Sequence, residues 1–151
     1  MVSLGQQMQD LQEKLARFRG DLPLAQASTV PGLWYTDLEI AERERRAIFH
    51  NSWQAIGRAA QVAEPGQFFT ADIAGEPILV VRDKDGELHA LANVCRHRAA
   101  RVECRAEGKA SRFRCRYHGW AYDLRGSLAG RPDFDGVENL PTLGAQGNGM
   151  P

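Results

Sequence analysis

The stretch RFRCRYHGWAYDLRGSL, residues 112–128, carries the most specific pattern in this chain, together with NVCRHRAARV, residues 93–102. Each stretch contains one cysteine followed at close spacing by one histidine, as C-x-H in the earlier stretch and C-x-x-H in the later one. Seventeen residues separate the two pairs. The four candidate metal ligands are Cys95, His97, Cys115 and His118.

Thiolates and imidazoles are ligands of both iron–sulfur clusters and zinc. In a [2Fe–2S] cluster held by two cysteines and two histidines, the thiolates bind one iron and the imidazoles bind the other. A loop that carries one residue of each type delivers one ligand to each iron. Zinc fingers instead pair cysteine with cysteine and histidine with histidine along the sequence. The mixed pairs therefore favour the cluster, and a structural zinc module is the alternative.

The segment between residues 67 and 128 has the pattern of short antiparallel strands. Three apolar runs, at 68–74, 77–83 and 87–94, are separated by glycine-containing turns, and an Asp-Gly pair between apolar runs is typical of a hairpin. Two further strands are predicted at 112–115 and 120–123. The ligand pairs then lie where strands give way to loops.

Two helices are predicted ahead of the strands. Apolar residues at helical spacing predict a first helix over residues 4–19, followed by a Pro- and Gly-containing linker to residue 33. Thr36, with Glu39 three positions later, is typical of a capping box and opens a second helix over 37–52. The predicted fold is mainly β, an antiparallel domain preceded by two α-helices.

The two ligand stretches closely resemble the Rieske domain of the large (alpha) subunit of Rieske non-heme iron oxygenases, which hydroxylate aromatic rings or demethylate amines and ethers. The upstream stretches 34–62 and 75–94 resemble the same family, and the N-terminal part leans toward choline- and carnitine-type monooxygenases. The resemblance implies a Rieske [2Fe–2S] domain over residues 34–140, with residues 1–33 as an N-terminal helix and linker and residues 141–151 as a Gly/Pro-rich tail.

The resemblance implies roles for six residues. Cys95, His97, Cys115 and His118 would ligate the cluster, Gly119 would let the backbone approach it, and Trp120 would pack over it. Arg116 and Trp120 stand where respiratory-chain Rieske proteins have an extra cysteine and a serine. With fewer hydrogen bonds to the sulfurs, the reduction potential is expected toward the low end of roughly −150 to +300 mV. A reductase or ferredoxin would supply the electron.

In intact members of that family the electron passes to a mononuclear Fe(II) held by two histidines and a carboxylate. Only His50 and His89 are left over, and both precede the ligand pairs, so no such triad can be built after residue 118. We therefore expect the chain alone not to be catalytic and to serve a catalytic oxygenase subunit. It is either a shortened oxygenase subunit or a free-standing, ferredoxin-like carrier.

Composition sets the remaining expectations. The 151 residues carry 19 basic and 19 acidic side chains, which gives no argument for nucleic acid or membrane as a partner. No apolar run reaches the roughly 18 residues of a spanning helix. Three cysteines fit a reducing compartment, so a cytoplasmic location is expected.

A few residues outside the ligand set also call for an interpretation. Cys104 is expected to be a free thiol, His89 a surface residue of its strand, and His50 a favourable charge at a helix end. Arginines surround the ligand pairs and form either a solvated face or a docking patch for an acidic redox partner. They are Arg96, Arg98, Arg101, Arg105, Arg112, Arg114 and Arg116.

Overall fold

The computed structural model describes residues 4–132, with side chains from Gln9 onward. The chain divides into two compact units, residues 1–53 and 54–151. The first is helical and the second is built from antiparallel strands, which confirms the predicted fold class. The predicted tail and the end of the predicted domain at residue 140 lie outside the described residues.

The first unit contains α1, Leu4–Ala16, and α2, Leu38–Ala47. Both helices are shorter than the sequence predicted, because the chain after each continues in turns; after α2 a 3-10 turn spans Phe49–Asn51 and holds His50. The N-cap of α2 is Asp37, whose carboxylate accepts hydrogen bonds from the backbone of Glu39 and Ile40. The prediction of Thr36 as the cap was therefore wrong by one residue. Asp is an equally good N-cap because its carboxylate oxygen satisfies the same free N–H groups.

Inside this unit, the last turn of α1 and the residues after it contact the segment that leads into α2. Lys14 forms an ion pair with Asp37 at 2.9 Å, and its backbone carbonyl accepts a hydrogen bond from the indole of Trp34 at 3.3 Å. The Trp34 ring also meets Phe18 edge to face, with ring centroids 5.5 Å apart. Aromatic pairs in this arrangement add to the stability gained from burial alone.

The second unit contains two antiparallel sheets. The strands are β1 Gln67–Ile73, β2 Glu76–Arg82, β3 Leu88–Ala92, β4 Glu107–Lys109, β5 Phe113–Arg114, β6 Ala121–Tyr122 and β7 Leu128–Gly130. The large sheet has strand order β3-β2-β1-β4, and the small sheet has order β5-β6-β7. β4 and β7 were not predicted, since three residues are too few to show an alternating pattern.

One buried cluster joins the two sheets. It includes Phe68 and Leu79 from the large sheet, Phe113 and Tyr122 from the small sheet, and the two cysteines of the predicted ligand set. Phe68 and Phe113 meet edge to face at 5.4 Å. The thiols are therefore fixed by the same packing that holds the sheets together.

Two turns of the same construction lie at the ends of β2 and β6. In one, Asp83 accepts hydrogen bonds from the backbone of residues 85 and 87; in the other, Asp123 accepts them from residues 125 and 127. Each turn is completed by a glycine with positive φ, 85° at Gly86 and 83° at Gly126. The repeated Asp-x-x-Gly pattern thus makes the same closed turn twice.

An arginine connects these two turns. Arg125, in the second turn, donates to the Asp83 carboxylate at 2.8 Å and also pairs with Asp85. His89 lies 2.9 Å from the same Asp83 carboxylate, which is buried. The prediction of His89 as a surface residue was wrong: its neighbours Leu88 and Ala90 are exposed, whereas His89 turns toward the aspartate.

Candidate metal centre

Two loops carry the predicted ligands, and they share one backbone pattern. The first loop is residues 95–100, where Cys95 N–H donates to the carbonyl of Ala100 at 2.7 Å and Ala99 N–H donates back to Cys95 at 2.8 Å. The second loop is residues 115–120, with the corresponding bonds from Cys115 to Trp120 at 2.8 Å and from Gly119 to Cys115 at 3.0 Å. Each cysteine therefore begins a loop that is closed by two backbone hydrogen bonds.

The structure brings the two cysteines into the protein interior and the two histidines together near its surface. Cys95 and Cys115 are each only 2% exposed, and neither forms a disulfide. The rings of His97 and His118 meet edge to face, with centroids 4.6 Å apart. His97 is half-buried and His118 is exposed. The site thus has a buried sulfur side and an imidazole side that reaches solvent.

The spacing of the ligand atoms favours two metal ions over one. The ligands of a single tetrahedral zinc lie about 2.0–2.3 Å from the ion and therefore within about 4 Å of one another. Among the described residues, three ligand atoms lie within 4.8 Å of one another only at Asp83, Glu87 and His89, not within the Cys–His set. A binuclear cluster separates the thiolates from the imidazoles, and the division of this set into a buried sulfur side and an imidazole side fits such a cluster.

Trp120 stacks on one of the histidines. Its ring lies parallel to that of His97, with centroids 4.9 Å apart and an angle of 7° between the planes. Trp120 is 9% exposed, so the stack also shields the inner face of the imidazole. Burial lowers the pKa of His97, with His118 and Arg98 acting in the same direction. The neutral imidazole, which is the form that binds a metal, is thereby favoured.

Gly119 has a conformational reason to be glycine. Its φ is +76°, and a Cβ there would lie 3.1 Å from the Arg114 guanidinium and 3.3 Å from Cγ of Pro132. The structure thus shows the Arg114 side chain and the Pro132 ring as the close neighbours of Gly119. An approach of Gly119 to the cluster, and packing of Trp120 over it, stay predictions.

Sequence reasoning missed Tyr122. Its hydroxyl lies 3.3 Å from the sulfur of Cys95 and accepts a hydrogen bond from the backbone N–H of Arg96 at 3.0 Å. The tyrosine is fully buried, and burial raises the pKa of its hydroxyl, so the hydroxyl keeps its proton and can donate it to a thiolate at Cys95. A tyrosine hydroxyl that is buried needs a hydrogen-bond partner. The signal available in the sequence was the closeness of Tyr122 to the second Cys–His pair, two residues after Trp120.

These observations define an antiparallel β domain in which two Cys–His loops form a candidate metal centre. The model of the Rieske [2Fe–2S] domain family matches residues 52–141, which is more than half of the chain. The chain belongs to this family, and a [2Fe–2S] cluster is its cofactor. Two thiols, two imidazoles and the spacing of the loops fit that group.

The similar proteins are oxygenases. Chloroplastic choline monooxygenase from Arabidopsis thaliana is 37% identical over 131 residues, covering 87% of this chain and 31% of the relative. The alpha subunit of biphenyl 2,3-dioxygenase from Rhodococcus jostii is 44% identical over 99 residues, covering 65% of this chain and 21% of the relative. This chain therefore spans a third or less of the length of these relatives.

A solved structure agrees with this grouping. A quaternary ammonium Rieske monooxygenase, studied for carnitine oxidation by gut microbiota, superposes with a TM-score of 0.72 at 36% identity. The match covers 78% of this chain and 32% of that one. Among the helices of the described residues, none is long and apolar enough to cross a membrane.

Proposed function

We propose that Cys95 and Cys115 bind one iron of the cluster and that His97 and His118 bind the other. The observation that carries this assignment is the pair of matching loops, which places two buried thiols on one side and two touching imidazoles on the other. When bound, a cluster of this type takes up and releases one electron at a time.

The chain's own residues fit this task. With Cys95 bound to iron as a thiolate, the Tyr122 hydroxyl at 3.3 Å would be the donor, and such a bond stabilises added negative charge. Trp120 and the buried core exclude water from the sulfur side. His118 is exposed, so its ring offers a partner direct access to the site. Electrons would therefore enter and leave at the imidazole side.

We infer that the chain relays electrons from a reductase or ferredoxin to a mononuclear iron held outside residues 1–151. The support is its similarity to oxygenases that match it along part of their length. The similarity to choline monooxygenase and to the monooxygenase studied for carnitine oxidation points to a substrate class. The oxygenase that this chain would serve is inferred to act on quaternary ammonium compounds. With two of its three cysteines assigned to the cluster, the chain fits a reducing compartment such as the cytoplasm.

Electron paramagnetic resonance of the dithionite-reduced protein, with iron and zinc quantified in the same sample, tests this proposal. We expect about two irons per chain and the low average g value of a centre with two imidazole ligands. About one zinc per chain with no signal would overturn it.

A ligand swap sharpens the test. His118→Cys should abolish the signal or convert it to that of an all-cysteine type, because a third thiolate adds negative charge at the reducible iron. A zinc site would accept the same change, since zinc binds Cys3His sets. The control is Cys104→Ser, which alters an exposed thiol outside both loops and should leave the signal unchanged.

A further inference from the structure

Asn93 is a fully buried polar residue two positions before Cys95. Its side-chain amide donates to the backbone carbonyl of Glu103 at 2.7 Å and accepts from the backbone N–H of the same residue at 2.9 Å. These partners fix the orientation of the amide, since the reversed orientation would set donor against donor and acceptor against acceptor. The two bonds, here called the Asn93 clamp, join residues 93 and 103 across the base of the first ligand loop.

The bases of the two ligand loops are closed in different ways. The base of the second loop is a backbone ladder, in which β5 and β6 form two residue pairs. At the base of the first loop, the described residues show one isolated bridge between Val94 and Arg101, and a long backbone bond of 3.4 Å from Val102 to Asn93. The Asn93 clamp thus takes the place of a further ladder pair.

Both ends of the clamp are anchored to the large sheet. At one end, the backbone N–H of Asn93 donates to the carbonyl of Pro77 in β2 at 2.7 Å. At the other end, the Glu103 carboxylate accepts hydrogen bonds from the backbone N–H and the guanidinium of Arg105. That guanidinium lies over the ring of Phe68 in β1, 4.8 Å from its centroid. A clamp with two fixed ends holds the base of the loop in one position.

The position of the first loop determines a contact with the small sheet. Cys95 lies in this loop, and its sulfur is 3.3 Å from the hydroxyl of Tyr122 in β6. Hydrogen bonds are confined to a narrow range of distances and angles. A small displacement of the loop would therefore weaken the contact between this hydroxyl and the sulfur.

We propose that Asn93 is a positioning residue of the metal centre, which acts through Cys95 by holding its sulfur at hydrogen-bond distance from Tyr122. This inference rests on the proposed function, in which the Cys95 thiolate binds iron. A hydrogen bond from Tyr122 to that thiolate stabilises the reduced, more negative state of the site. Asn93 therefore raises the reduction potential, although its side-chain hydrogen bonds go to the backbone of Glu103.

The test is the reduction potential, measured by protein-film voltammetry on two variants of Asn93. Asn93→Ala removes the clamp, and Asn93→Leu removes it while keeping a side chain of similar size. Both should lower the equilibrium constant for reduction by about threefold to tenfold, and tenfold corresponds to about 59 mV in a one-electron couple. The potential is measured on molecules that hold a cluster, so a smaller yield of folded protein does not affect it.

The matched control is Val62→Ala. Val62 is fully buried in the second cluster of the same unit, with Phe69 and Val80. This variant should lower the urea midpoint, as the Asn93 variants should, because cavities and unpaired buried polar groups both destabilise a fold. It should leave the potential unchanged. A shift as large as that of Asn93→Ala would overturn the proposal, because loss of stability alone would then explain the effect.

A double-mutant cycle tests the route through Cys95. Tyr122→Phe lacks the hydroxyl whose distance from the sulfur the clamp is proposed to maintain. In that background, Asn93→Ala should shift the potential by no more than about half of the amount seen in the wild-type background. Equal shifts in the two backgrounds would overturn the proposal, because the effect would then be independent of the Tyr122 hydroxyl.

The remaining outcomes are also decisive. A wild-type potential in both Asn93 variants would overturn the proposal. Failure of both variants to fold, under conditions in which Val62→Ala folds, would overturn it as well, because Asn93 would then serve the fold and not the site. A wild-type protein that lacks the resonance signal of the cluster would instead refute the proposed function before any variant is measured.

Discussion

Ala99 and Gly119 occupy the same backbone position in the two ligand loops. Each follows its cysteine by four residues, donates its N–H to the carbonyl of that cysteine, and has positive φ, +55° for Ala99 and +76° for Gly119. A residue with a Cβ is strained in this region, whereas glycine is not. The first loop therefore holds a strain that the second loop avoids.

Exchanging the two residue types should move stability in opposite directions. Ala99→Gly should raise the free energy of unfolding by about 0.5 kcal/mol, because relief of strain outweighs the added freedom of the unfolded chain. Gly119→Ala should lower it by about 1–2 kcal/mol, since it adds the strain and places a methyl group 3.1 Å from Arg114. Urea denaturation followed by circular dichroism measures both. Equal signs for the two variants would show that the loops do not share this constraint.

Tyr122 should raise the reduction potential of the site. Tyr122→Phe removes the donor at 3.3 Å from the Cys95 sulfur and keeps the ring that fills the core. We expect the potential to fall by tens of millivolts, on the scale of the roughly 59 mV that corresponds to a tenfold change in a one-electron equilibrium. Protein-film voltammetry measures it, with Tyr117→Phe as the control because that hydroxyl lies on an exposed ring beside His118. A potential equal to that of wild type would remove Tyr122 from the electrostatics of the site.

The carboxylate of Asp83 should stabilise the fold above acidic pH. Its hydrogen bond with His89 holds the pKa of the Asp83 carboxyl well below its usual range, with further bonds from the backbone and Arg125. A depressed pKa means that the stabilisation is complete above the unfolded pKa of about 4 and is lost as pH falls toward the folded value. Wild type should therefore exceed Asp83→Asn in stability at pH 7, and the difference should shrink below about pH 4.

Asp123→Asn is the matched control for that prediction. Asp123 makes the same two backbone hydrogen bonds in the second turn, and no ion pair to it is present among residues 9–132. An asparagine oxygen can accept those backbone bonds, so only the charged contacts of Asp83 distinguish the two variants. If Asp83→Asn and Asp123→Asn lose similar amounts of unfolding free energy at pH 7, the stabilisation comes from the backbone hydrogen bonds of the turns and not from the ion pairs of Asp83.

The β1–β2 hairpin should be improved by a single substitution. Ala74 and Gly75 connect Ile73 to Glu76 and both have positive φ, +50° and +90°, as in a type I′ turn. Asparagine tolerates the left-handed region at the first position better than alanine does. Ala74→Asn should raise the unfolding free energy by about 0.5 kcal/mol by this reduction of strain. A lower urea midpoint would contradict the turn assignment.

Much of the fold could be predicted from the sequence because the longer strands of the large sheet show a pattern of alternating side chains. β1 and β2 have seven residues each and were predicted within a residue or two of their observed ends. β4 and β7 were missed because three residues carry no period. The two Cys–His pairs were predicted as ligands from their local spacing alone, and their binding of the cluster stays a prediction. Tyr122 and Asp83 act through contacts 27 and 42 residues away, which spacing does not show.

The small sheet is too short to stand by itself. Its strands contain two, two and three residues, and isolated strands of that size have little stability in water. The small sheet is stabilised by the packing of Phe113 and Tyr122 in the cluster shared with the large sheet. The ion pair between Arg125 and Asp83 stabilises it further. If the cluster binds between the loops as proposed, it would stabilise the small sheet further, and occupancy and local folding would be thermodynamically linked. Scarcity of iron in the cell would then lower the amount of correctly folded protein.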